Sequence, residues 1–183
     1  MPSIDGQISF STTAEDTGVI RTVEVRRSPR RRRTVGARLD GSTLVVLVPD
    51  NISRAEESMW VEKMRQRFED SERRNQLNSS GELDRRAQDL NEQYFGGRLS
   101  WNSISYVTNQ RQRYGSCTID DKTIRLSDVL ATMPGWVRDY VIVHELAHLG
   151  VPDHSKAFWR LVENYPLAER ARGFLIAKGL EES

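Results

Sequence analysis

The sequence predicts an α+β fold: a small, mostly antiparallel sheet packed on one central helix, preceded by a β meander and a helical segment. Three observations carry this. Short β-branched runs occur both before residue 50 and between residues 104 and 126. Met59, Trp60, Val61, Met64 and Phe68 recur at helical spacing, and Pro134 to Leu149 is apolar nearly all round. The chain of 183 residues suits one compact unit, read as three segments: a β-rich extension over 1–52, a helical segment over 53–97 and a core over 98–183.

Taken in order, Ile20 to Val25, Thr34 to Leu39 and Leu44 to Val48 read as strands. Asp40-Gly41 joins the last two as a two-residue hairpin, because that turn needs backbone angles that Asp and Gly tolerate. Ser53 followed by Glu56 is a capping box, which starts the first helix. Asn75 to Gly81 has the composition of a loop. A second helix runs from Glu82 to Tyr94 and stops at Gly96-Gly97. Ile104 to Val107, Tyr114 to Ile119 and Thr123 to Leu126 read as strands, and Pro134 to Leu149 as a helix that must be buried centrally. Ser155 caps a further helix over Lys156 to Glu163.

Composition narrows the class. A hydrophobic fraction of 37% and a charged fraction of 29% describe an ordinary globular chain. The single cysteine, Cys117, gives no sign of an oxidising compartment. Met1 to Phe10 lacks the pattern of a signal peptide, and no apolar run spans a membrane. A cytoplasmic protein with no membrane partner is therefore expected. A net charge of +1 says nothing about nucleic acid. The block Arg26, Arg27, Arg30, Arg31, Arg32, Arg33 and Arg38 contains no acidic residue between its ends. Such a block either contacts phosphates, chiefly through Arg30 to Arg33, or is the solvated rim of a turn.

The chemistry is concentrated in one stretch. His144-Glu145-Leu146-Ala147-His148 is an H-E-x-x-H pattern. On a helix, residues four apart project from one face, so both imidazoles can converge on one ion. Gly150 and Pro152 end the helix and let the chain turn back, bringing His154 to the spacing of a third ligand. All three histidines of the chain fall in this stretch. Two imidazoles and a carboxylate on a buried helix cost several kcal/mol unpaired, and a metal satisfies them. The expected cofactor is one Zn2+ per chain, which lowers the pKa of bound water while Glu145 takes its proton.

The residues also resemble a known family. Arg113-Tyr114-Gly115-Ser116-Cys117, Ile124-Arg125-Leu126-Ser127, the run Tyr140 to Leu149, and His154-Ser155 with Phe158-Trp159 look like the YgjP-like metallopeptidases. These are similar to the SprT-like and WLM peptidases within the zincin fold. Arg26-Arg27-Ser28, the strand to Pro49 and Tyr94-Phe95-Gly96-Gly97 extend the likeness upstream. The resemblance implies a zincin-like core, a peptide or protein substrate, zinc at His144, His148 and His154, and Glu145 as base. The family more often has Trp where this chain has Tyr114.

In a zincin, an edge strand beside the metal helix pairs with extended substrate. Arg113 or Tyr114 could then donate to the oxyanion, or Tyr114 and Cys117 could pack in the core. Asp139, Asp153 and Glu163 are possible partners for a ligand imidazole. Two rivals remain at this point. One is a zinc-dependent nucleotide phosphoanhydride hydrolase using the Arg block, and the other a nucleic-acid-binding module whose structural zinc is closed by Cys117.

Overall fold

The computed structural model describes residues 20–110 and 113–179. The reading of Met1 to Phe10 lies outside the described residues. By internal packing the chain forms two compact units, residues 1–73 and 74–183. The 53–97 segment of the sequence reading lies across that division.

The first unit holds β1 (Thr22–Ser28), β2 (Gly36–Asp40) and β3 (Thr43–Pro49) in the order β1-β3-β2. The Asp40-Gly41 hairpin forms as its residue types require: β2 and β3 pair antiparallel, and Gly41 has a φ of 60°. The segment is not a meander, however. β1 pairs with β3 in parallel, from Thr22 opposite Thr43 to Ser28 opposite Pro49. The physical reason lies in β3. Its Leu44, Val45, Val46 and Val48 are fully buried, and such a strand belongs at the centre of a sheet. Strand β2 exposes Arg38, Leu39 and Asp40 and takes an edge.

Helix α1 (Arg54–Ser79) opens with the capping box: Ser53 N–H donates to Glu56 Oε2 at 2.9 Å, and Glu56 N–H donates to Ser53 Oγ at 3.2 Å. Met64 packs with Leu44, Val46 and Val48, flanked by Trp60, Val61 and Phe68. Met59 falls outside the stripe, 56% exposed. One arginine of the basic block is structural. Arg27 donates to Glu57 at 2.8 Å and to the carbonyls of Asp50 and Ile52, tying the end of β1 to the start of α1.

The second unit contains α2 (Glu82–Phe95), β4 (Ser103–Val107), β5 (Gly115–Thr118), β6 (Thr123–Ser127), α3 (Gly135–His148), α4 (Lys156–Val162) and α5 (Ala168–Ala177). Its sheet has the order β4-β6-β5. β6 pairs antiparallel with its hairpin partner β5 and parallel with β4, so half of the pairing departs from the antiparallel pattern expected. Leu90, Ile124, Leu126, Tyr140, Ile142 and Leu146 are fully buried together. Central burial of α3 is as its apolar circumference demands. Among the described residues no helix is long and apolar enough to cross a membrane.

The stretch Asn75 to Ser79 is helix rather than loop; the break comes at Gly81, with a φ of 63°. Asparagine is a poor helix former because its amide competes for backbone bonds. Here the amide of Asn78 has a better use. Its Nδ2 donates to the Tyr106 carbonyl at 3.0 Å, and Tyr106 N–H donates to its Oδ1 at 2.8 Å. One side chain thus satisfies the edge of β4 as a neighbouring strand would. Asn78→Ala is expected to lower unfolding free energy by about 1–3 kcal/mol, the cost of leaving those backbone groups unpaired. The check is a lower urea midpoint at unchanged slope; an unchanged midpoint would mean that water replaces the amide.

Candidate metal centre

Helix α3 provides the frame. Every residue from Tyr140 to Ala147 is buried, so the direction of each side chain is set by the helix. The helix is anchored at Asp139, to which Arg86 of α2 donates twice, at 3.0 and 2.7 Å. That carboxylate, a candidate partner for a ligand ring, is therefore engaged by Arg86. After His148 the helix stops. Gly150 does not enter the left-handed region, and Pro152 supplies the break. The chain turns back through His154, and α4 starts at Ser155, whose carbonyl accepts from Trp159 N–H at 3.1 Å. Ser155 occupies the cap position without a side-chain cap bond.

The turn brings the three histidines together. One ring nitrogen from each lies within 4.8 Å of the others. His144 Nε2 and His154 Nε2 are 3.2 Å apart. His144 is buried, His148 half-buried and His154 exposed, so the cluster sits at the rim of the core with one side open. Phe158, fully buried, forms its floor, with ring centroids 4.8, 4.4 and 4.7 Å from those of His144, His148 and His154. Trp159 stacks on His154 at 5.6 Å, and the Arg172 guanidinium of α5 lies over Trp159 at 4.7 Å. The place of Phe158 and Trp159 against the imidazoles follows from the turn at Pro152, which brings α4 under the end of α3.

Electrostatics favour the neutral rings of His144 and His148. Burial, and then the charges of His148, His154 and Arg172, push His144 down to about 3. Burial and then His154 lower His148, while backbone hydrogen bonds with Val151 and Pro152 act in the other direction. Burial lifts the Glu145 carboxyl up to about 8, opposed by the charge of Arg113.

These residues fit a divalent cation. Nitrogens bound to one tetrahedral ion at about 2.0–2.1 Å stand roughly 3.3 Å apart, close to the 3.2 Å between His144 and His154. Two bare ring nitrogens at that distance repel each other unless a proton or a cation lies between them. His144 Nδ1 is buried without a partner among the described residues, which leaves Nε2 as the atom facing the cluster. Three imidazoles suit Zn2+, as they do several other transition metals. Neither Cys117 nor a carboxylate belongs to the cluster among the described residues. Such a set leaves one coordination position open.

The other predicted residues divide. Arg113 is exposed at the entry to β5, near enough for its charge to act on Glu145. Tyr114 is buried in the core, and its hydroxyl has no partner among the described residues. Cys117 is half-buried on β5, its thiol pushed up to about 11 by burial and then by the charge of Glu145. Arg30, Arg32 and Arg33 are exposed in the loop after β1, and Arg31 is half-buried with its guanidinium beside Gly36. That loop belongs to the first unit, and the histidine cluster to the second.

Comparison with known proteins gives a family match and a structural likeness. The family described as "YgjP-like, metallopeptidase domain" matches residues 51–173. No curated protein matches significantly. Among solved structures, the chain is similar to the metallopeptidase zymogen of Pyrococcus abyssi abylysin. That likeness has 19% identity and a TM-score of 0.49, covering 55% of this chain and 99% of the other.

Proposed function

Because the chain belongs to the YgjP-like metallopeptidase family, we propose that it is a zinc-dependent peptidase in which His144, His148 and His154 hold one Zn2+ per chain and Glu145 is the general base. The observation that carries this reading is the set of three converging imidazoles with the Glu145 carboxyl buried on α3, the helix that bears His144 and His148. Zinc, when bound, supplies Lewis acidity that polarises a peptide carbonyl and lowers the pKa of water. The chain's own residues do the rest. Glu145, whose carboxyl burial holds above the usual carboxylate range, takes a proton from the attacking water and returns it to the leaving amine.

Substrate binding is part of the proposal. Strand β5 stands at the edge of the order β4-β6-β5 among the described residues, and addition of an extended peptide to that edge is the proposed binding mode. Arg113, exposed at the entry to that strand, is the candidate donor to the substrate carbonyl, whereas the Tyr114 hydroxyl is buried in the core. The absence of Cys117 from the cluster among the described residues favours an open site over a closed structural one. A cytoplasmic setting is proposed on the single cysteine.

The test begins with elemental analysis of purified protein. About one zinc per chain is expected. The zinc-loaded protein is then offered denatured casein and, separately, nucleoside triphosphates. Casein fragments without phosphate release support a peptidase. Protein that neither retains nor takes up zinc, or that releases phosphate only, would overturn the reading. Arg30 to Arg33 stay as an anion contact only if DNA binding is seen and weakens with salt.

A further inference from the structure

Glu145 is buried, yet no hydrogen bond from another described residue holds its carboxylate. Its position is set by packing, and the surface it packs on is unusual. A Cβ built on Gly115, at the start of β5, would stand 2.8 Å from both Cγ and Cδ of Glu145 and closer still to Oε1. Contacts of that kind below about 3 Å lie inside van der Waals separation and force something to move. The clash is not confined to the tip of the side chain: Cγ stands as near as Cδ, so the whole of the buried Glu145 side chain would have to turn away. Nor does backbone conformation explain this glycine. Gly115 is not among the glycines with positive φ, whereas Gly41, Gly81, Gly96, Gly97 and Gly179 are. Gly135 and Gly173 would meet nothing within 4 Å. At position 115 the space taken by Glu145 is itself what requires a glycine.

We infer that Gly115 is a positioning residue for Glu145: its bare Cα is the seat against which the carboxylate rests, one residue along α3 from His144. The seat lies on the strand whose outer edge is proposed to receive the peptide, so one residue sets the distance between the base and the bound substrate. This function for the seat rests on the proposed role of Glu145 as base. The steric coupling between the two residues does not. A displacement of about 1 Å in a reacting group can cost about a hundredfold in rate.

The experiment is a double-mutant cycle of Gly115→Ala and Glu145→Ala, read by thermal unfolding, zinc content and casein cleavage. In the wild-type background Gly115→Ala is expected to lower Tm by roughly 5–10 °C, as over-packing of a core does. In the Glu145→Ala background, where the seat is vacant, it should lower Tm by less than about 2 °C. Zinc content should be unchanged, with kcat falling about a hundredfold at similar KM. If Gly115→Ala fails to fold alone but folds together with Glu145→Ala, the seat is supported. Equal Tm losses in both backgrounds, failure to fold in both, or full cleavage activity in an active Gly115→Ala protein would overturn it. Should Glu145→Ala itself cleave casein normally, the base assignment fails and with it the catalytic meaning of the seat, while the Tm cycle still reports whether the two residues share that space.

Discussion

Glu145→Gln is expected to lower kcat by about 10²–10⁴, the usual worth of a general base, with KM and zinc content unchanged. Glutamine keeps the size and shape of the side chain, so it still fits against Gly115, and it removes only the ability to accept a proton. The same variant should change how the metal-free protein responds to pH. Burial raises the Glu145 pKa from 4.5 in the unfolded chain to about 8 in the fold, so folding favours the protonated form. The contribution is fully present below pH 4.5 and is lost as pH rises through about 8. The Gln variant lacks that slope. Chemical denaturation of both proteins in chelator, at intervals from pH 5 to 9, measures the difference. Parallel curves, or cleavage of casein at the wild-type rate, would remove Glu145 from the role assigned to it.

His148→Ala should weaken zinc binding by about a thousandfold, roughly one ligand's share of a site worth 10–16 kcal/mol. This position separates ligation from folding better than His144 does. His148 is half-buried at the last residue of α3, whereas His144 is buried in the middle of the packed face. Loss of metal in a His148→Ala protein with near-native Tm in chelator would therefore report the site and not collapse of the core. Competition against a chromophoric chelator gives the affinity. A value within a few-fold of wild type would exclude His148 from the ligand set, and casein cleavage in the same samples should fall with zinc occupancy.

Local spacing was the most legible part of the molecule. The capping box at Ser53 and Glu56, the hairpin at Asp40-Gly41 and the stop of α2 at Gly96 all formed as read, because each depends on residues within four positions of one another. The geometry that lets His144 and His148 converge is equally local, since it follows from a helical turn. Other features escaped that reasoning. The helical state of Asn75 to Ser79 depends on Tyr106, far along the chain. Helix α5, absent from the sequence reading, carries Arg172 against Trp159. A weak apolar stripe in Ala168 to Ala177 was its only local sign, with Ala168, Ala171 and Leu175 turned inward.

By itself, then, the sequence determined the α+β class, most of the elements and the candidate chemistry, because periodicity and short-range spacing are written in neighbouring residues. Tertiary structure alone decided strand order and partner choice. Parallel pairing of β1 with β3, and of β4 with β6, joins segments whose register no local pattern specifies. It decided also that Asp139 pairs with Arg86, that Phe158 lies under the three imidazoles, and that Glu145 rests on Gly115. Each of these contacts closes a loop in the chain, and the free energy that selects it comes from packing the whole core.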